Sequence, residues 1–212
     1  MIDGQLYDAV DGPPRAMIDL RPIRSLRGGH NWQNAAAAYG AVRGLGVEPE
    51  AITAVLPSFQ GLAHRLEPVA TIDGVQFVND SKATNPEAAA RALASFDGIY
   101  WIAGGRPKDG GLAPVLPWLD RVRHAYLIGE AAEAFARALA GRVPCTRSGD
   151  LARAVRQAAG AARADRAGSP VVLLAPACAS FDQFRDFEER GETFRQLVGE
   201  LERGALAVSA VS

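Results

Sequence analysis

The 212-residue chain has a net charge of −1 and 48% hydrophobic residues, enough for a packed core and too little positive charge for a nucleic-acid footprint. Its two cysteines, Cys145 and Cys178, are too few for a disulfide scaffold and lack metal-ligand spacing, and no apolar run approaches the roughly 18 residues of a membrane span. The start MIDGQLYDAVDG has no basic segment followed by an apolar one, so the chain reads as cytoplasmic, with neither nucleic acid nor membrane as a partner and no metal site expected.

Residues 1 to 28 hold short alternating segments around Asp11-Gly12-Pro13-Pro14, the pattern of strands cut from a larger sheet. They are expected to be poorly ordered or paired with another chain. From Asn34 the run NAAAAYGAVRGLG predicts a helix ending at Gly44 or Gly46, and Pro49 opens a second. The stretch from Pro57 to Arg65 loses periodicity, which places a domain boundary near Gly61. The expected division is therefore 1–61 as an incomplete domain, 62–205 as a whole one and 206–212 as a flexible tail. Pro57 to Leu62 has the small and Gly/Pro character of a hinge between them.

Past the boundary, EPVATI and VQFVND flank Asp73-Gly74, a hairpin signal because Asp-Gly accepts the positive φ values of a type I′ turn. Strand-like IYWIA, HAYLI, VPCT and VVLLA then alternate with helical stretches near 86–95, 112–122, 130–140 and 150–164, and a last helix is expected from Asp182 onward. This alternation predicts an α/β fold with a mainly parallel, doubly wound sheet and one antiparallel hairpin.

In such a sheet the ligand crevice lies beyond the carboxyl ends of the strands. The loops there are the unusual ones: NDSKATNP, AGGRPKDGG, IGE and APACASFDQF. Only two of the 23 basic Lys and Arg residues are lysines, Lys82 and Lys108, and both fall in these loops. Codon bias explains that as readily as a need for a compact ammonium. Thr84-x-x-Glu87 and Ser180-x-x-Gln183 each fit a capping box, yet a helix amino terminus is also an anion site. Two such termini with two lysines would suit a ligand bearing two carboxylates. Asp80 is either a turn aspartate or an acceptor for a ribose hydroxyl, and Arg65 a linker charge or a phosphate contact. His30 and His64 lack metal spacing, and Cys178 lacks a sequence-evident histidine partner for nucleophilic work.

The strings GGHNWQN, AHRLE, VNDSKATNP, AGGRPKDGG and LAPACASFDQFRDFEERG resemble the Mur ligase family over residues 25 to 202. Asp80-Ser81-Lys82-Ala83-Thr84-Asn85-Pro86 and the block from Ala177 to Phe184 favour its D-glutamate-adding branch, while Arg106-Pro107 before Lys108 departs from the family pattern. The resemblance implies a Rossmann-like carboxyl-terminal domain preceded by the tail of a P-loop ATPase domain. The amino-terminal half of such a protein, with its UDP-binding domain, would be a missing partner. It also implies an acyl phosphate, made from ATP with Mg and UDP-MurNAc-L-alanine, that is attacked by D-glutamate to give an amide in peptidoglycan precursor synthesis. Carried over residue by residue, Asn31, Asn34, Arg65 and Asp80 would meet ATP. Lys82, Thr84, Lys108, Ser180 and the backbone at Phe187 would hold D-glutamate.

No catalytic residue is assigned within the chain. Lys82 is followed by Ala83 and Lys108 by Asp109, so no P-loop lysine precedes Ser or Thr, and the chain alone is expected to be inactive. The alternative is a binding module for an amino acid or nucleotide that catalyses nothing. A dinucleotide oxidoreductase is disfavoured, because no G-x-G-x-x-G separates a strand from a helix.

Overall fold

In the computed structural model, which describes residues 1–108, 110–165 and 168–204, β1 (Gln5–Asp8) pairs antiparallel with β2 (Arg15–Asp19). Two helices follow, α1 (Gly29–Gly44) and α2 (Pro49–Val55). Leu6, Tyr39 and Ile52 pack together, and Leu20, Ile23, Leu26 and Ala35 form a second small core with Trp32 and Leu56 alongside. Residues 1–28 are thus ordered by contacts to their own neighbours, where the sequence pointed to poor order or pairing with another chain. Helix α1 starts five residues ahead of the expected Asn34, after Gly28 at φ 96°. Gly28 supplies the positive-φ entry that lets the helix begin at Gly29.

The chain divides into two compact units between Leu62 and Ala63. The second holds a six-stranded sheet of order β3-β4-β8-β5-β6-β7. Its strands are β3 (Glu67–Ile72), β4 (Val75–Asn79), β5 (Ile99–Gly104), β6 (Val122–Ile128), β7 (Cys145–Gly149) and β8 (Val171–Leu174). Only β3 runs antiparallel, joined to β4 through Asp73 (φ 51°) and Gly74 (φ 81°), both left-handed as a type I′ turn requires. The other neighbours pair in parallel.

Side chains alternate between two cores, as the two-residue period of a strand dictates. Trp101 and Ala103 face α3 (Pro86–Leu93), a 3₁₀ segment (Ala113–Arg121) and α4 (Ala132–Leu139). Tyr100 and Ile102 face α5 (Leu151–Ala164) and α6 (Phe187–Glu202). Both faces are covered, which is why β5 is buried at every position.

Three elements differ from the sequence reading. The 112–122 stretch is 3₁₀ rather than α, because Pro117 inside it cannot donate to an α-helical ladder. The VPCT strand shifts to Cys145–Gly149. The last helix begins at Phe187 instead of near Asp182, since Asp186 supplies the cap and the residues before it form turns. The expected tail 206–212 lies outside the described residues.

Candidate functional site

The connections after β5 and β8 leave the sheet in opposite directions. From β5 the chain moves to β6 across the face covered by α3 and α4, whereas α6, after β8, packs by β3 and β4 on the other face. Neighbouring strands with diverging connections open a crevice at their carboxyl ends. The β5 loop with Lys108 and the β8 loop with Ser180 flank it, and the β4 loop lies one strand away. The start of antiparallel β3 reaches the same edge, because Glu67 pairs with Asn79.

On the β4 side, Asp80 is buried and accepts the Leu66 N–H at 3.1 Å. Burial pushes its carboxyl up to about 7, against the opposing effects of that N–H and of the Arg65 charge. Arg65 itself is exposed. Beneath them the His64 ring meets Asn79 Nδ2 at 3.0 Å, and Asn79 also donates to Glu67 at 3.1 Å and to the Gly191 carbonyl at 3.2 Å. His64 (φ 60°), Leu66 (φ 42°) and Ala177 (φ 57°) are left-handed non-glycine residues at this one edge. Such backbone costs about 1–3 kcal/mol each and persists only where surrounding contacts impose it.

The Lys82 ammonium lies 3.7 Å from the centroid of the Phe187 ring, the first residue of α6. Ser81 Oγ donates to the Phe187 carbonyl at 2.8 Å, and Ala177 N–H donates to the Ala83 carbonyl at 2.9 Å, so the β4 and β8 loops are sewn together. Ser180 is buried, Thr84 half-buried, and Lys82 and Lys108 exposed. The two capping boxes need correction. Asn85, not Thr84, caps α3 by accepting Ala88 N–H at 2.8 Å. Asp186, not Ser180, caps α6 by accepting Glu189 N–H at 2.7 Å. With Glu188 and Glu189 in its first turn, α6 already carries the negative charge its dipole attracts.

Arg190 escaped the sequence reading. It is 0% exposed and donates to Ser81 Oγ at 3.0 Å, to the Ser81 carbonyl at 2.9 Å and to the Cys178 carbonyl at 3.2 Å, clamping both loops. Burial lowers its pKa to about 10, which still leaves it charged at neutral pH. Nothing in a chain rich in arginine marked this one as buried. Burial raises the Cys178 thiol to about 12, keeping it protonated and unreactive.

The β5 and β8 loops meet in a backbone bridge, Arg106 N–H to Ala179 O at 2.9 Å and Ala179 N–H to Arg106 O at 3.1 Å. Lys108 is two residues beyond this bridge and Ser180 one. Close approach requires glycine: a Cβ on Gly105 would sit 2.3 Å from the Ala179 carbonyl oxygen. The unexpected Arg106 pairs with Glu130 at 3.2 Å. Thus Arg65, Asp80, Lys82, Thr84, Lys108, Ser180 and Phe187 all belong to one edge of the second unit. Asn31 and Asn34 belong to the first unit, Asn31 buried with its amide donated to the Arg27 carbonyl at 2.8 Å and Asn34 exposed. Among the described residues no group of three or more His, Cys, Asp or Glu could hold a metal ion, and no helix is long and apolar enough to cross a membrane.

Residues 64–178 match the family described as Mur ligase, glutamate ligase domain. The UDP-N-acetylmuramoylalanine–D-glutamate ligase of Rhodospirillum rubrum is 56% identical over 200 residues, covering 94% of this chain and 42% of the relative. The ligase of that name from Phenylobacterium zucineum is 55% identical, covering 96% of this chain and 43% of its own length. The chain thus spans less than half of these relatives. In fold it resembles the UDP-N-acetylmuramate–alanine ligase of Thermotoga maritima, with a TM-score of 0.56 at 14% identity over 84% of this chain and 39% of that one. It also resembles the folylpolyglutamate synthase of the same organism, with a TM-score of 0.54 at 15% identity over 95% of this chain and 44% of that one.

Proposed function

Because the chain belongs to the Mur ligase family, we propose that it is the carboxyl-terminal portion of a cytoplasmic, ATP-dependent ligase that adds D-glutamate to UDP-MurNAc-L-alanine during peptidoglycan precursor synthesis. The observation that carries this reading is the single edge at which Lys82, Thr84, Lys108 and Ser180 arrive on three different loops. A ligand with two carboxylates needs cations set apart on a fixed frame, and loops cross-linked by Arg190 and by the Arg106–Ala179 bridge supply one. Lys82 is held over the Phe187 ring, while Lys108 comes from the opposite wall of the crevice.

Asp80 and Arg65 fit the sugar and phosphates of ATP: a carboxylate whose second oxygen is left over from the Leu66 N–H can accept a ribose hydroxyl, and the exposed guanidinium can meet phosphate. ATP supplies the phosphoryl group that activates the acceptor's carboxylate; the residues of this chain bind and orient. In the absence of a P-loop lysine the chain alone is a binding module, and Mg²⁺ would be held chiefly by phosphates and by residues outside it.

The test is phosphate release from ATP with UDP-MurNAc-L-alanine and D-glutamate, by this chain alone and by this chain fused to the amino-terminal portion of the R. rubrum relative. The chain alone should be silent and the fusion active. In the fusion, Lys108→Ala should raise the D-glutamate KM about tenfold or more. Arg121→Ala, at the other end of the sheet where Arg121 bonds the Ala94 carbonyl, should leave it unchanged. Turnover by the chain alone, or equal small effects of the two variants, would overturn this reading.

A further inference from the structure

The β8 loop runs from Ala175 to the Asp186 cap of α6 without a strand or an α-helix of its own. A free loop of that length would sample many backbone states at a cost of about 1–2 kcal/mol per residue to order. Phe181 at its tip is 61% exposed while the adjacent Ser180 is 2% exposed, and Phe184 packs on the core shared with α5 and α6. Two polar side chains between these phenylalanines reach out to other strands. Asp182 Oδ2 accepts the Glu130 N–H at 3.0 Å, just past the end of β6, and Gln183 Nε2 donates to the Gly149 carbonyl at 2.8 Å, at the end of β7.

The approach is built into the neighbours. A Cβ on Gly129 would lie 2.0 Å from Asp182 Oδ2, and its φ of 65° independently requires glycine. Gln183 and Phe184 N–H groups donate back to the Ser180 carbonyl at 3.1 and 2.9 Å, so the anchored residues fix Ser180 directly. On its other side Ala179 is bonded to Arg106. Asp182 holds this post at a cost, because its Oδ1 is buried with no hydrogen-bond partner among the described residues.

We infer that Asp182 and Gln183 are positioning residues, which peg the β8 loop to the ends of β6 and β7 and so set the place of Ser180 relative to Lys108 for D-glutamate. This rests on the function proposed above. Neither residue needs to touch the substrate. Their effect is on where its ligands stand.

The experiment has two arms. Amide hydrogen exchange on the 212-residue chain should show residues 180–184 exchanging about tenfold faster or more in Asp182→Ala, and little faster in Asp182→Asn, whose amide oxygen still accepts from Glu130. In the active fusion, Asp182→Ala should raise the D-glutamate KM about tenfold with kcat and the ATP KM within about threefold, and Asp182→Asn should restore it. Gln183→Ala, which removes one bond at the surface, provides the same readings should Asp182→Ala melt below the assay temperature. Unchanged exchange in both alanine variants overturns the pegging. Faster exchange with an unchanged D-glutamate KM overturns the link to substrate. A silent wild-type fusion refutes the functional reading and with it that link, and the exchange rates then decide the pegging by themselves.

Discussion

Burial pushes the Asp80 carboxyl up to about 7 even though the Leu66 N–H and the Arg65 charge pull the other way. A raised acid pKa means that the folded chain holds the proton more tightly than the unfolded one. This group's stabilising contribution is therefore complete below pH ~4 and is lost as pH rises to about 7, the folded value. Asp80→Asn keeps an acceptor for Leu66 and removes the charge. Thermal melts of the variant between pH 5 and 8 should show a flatter fall, with a gain of about 1–3 kcal/mol over the parent at pH 8. Parallel pH slopes for the two would mean that the carboxyl ionises without penalty. Arg190 gives the opposite experiment. Its removal by Arg190→Ala strands the Ser81 and Cys178 carbonyls and should cost roughly 3–5 kcal/mol in urea melts. Arg190→Lys, which keeps charge but not the fork, should cost less, about 1.5–3 kcal/mol.

At the scale of elements, the helix termini separate capping from binding. Asn85→Ala removes the Oδ1 that accepts Ala88 N–H and should destabilise the second unit by about 1 kcal/mol. Thr84→Ala touches no cap and should change stability by less than about 0.5 kcal/mol, while weakening D-glutamate use in the fusion. A Thr84→Ala loss as large as that of Asn85→Ala, read in the same denaturant series, would return Thr84 to the cap. The sequence motif Thr-x-x-Glu could not decide between adjacent cap positions, since both residues are good caps and Pro86 serves either register. Likewise Ser180-x-x-Gln183 had the letters of a helix start, but Asp186 outcompetes it because Glu189 can bond back to Arg185 N–H at 2.6 Å.

At the scale of the whole chain, the units part between Leu62 and Ala63, where Phe59 and Leu62 are exposed. We propose that this stretch is the hinge of a ligase that binds its substrates with more than one domain. Brief proteolysis should cut first between Phe59 and Ala63, and mass spectrometry should then find a resistant fragment from about residue 63 onward, held by its own double-sided core. First cuts inside β4 to β8 would contradict that order. The first unit's smaller cores, around Leu20 and Leu6, predict that it unfolds at lower denaturant than the second.

The sequence alone determined the alternation of β5 to β8 with helices, the Asp73-Gly74 hairpin and the unusual make-up of the loops at one edge of the sheet. Each of these depends on local periodicity or turn chemistry that a linear string contains. The two lysines stood out for the same reason: a rare residue type in an unusual loop is visible without coordinates. Tertiary structure alone decided the strand order that sets the β5 and β8 loops side by side, and hence that Lys108 and Ser180 share a crevice. It also decided that Arg190, a single arginine among many, is buried as a clamp, that Asp182 and Gln183 reach to other strands, and that β1 and β2 pair with each other. These are contacts between residues far apart in the chain, and burial, which gives a charge or a glycine its meaning, exists only once those distant parts have packed.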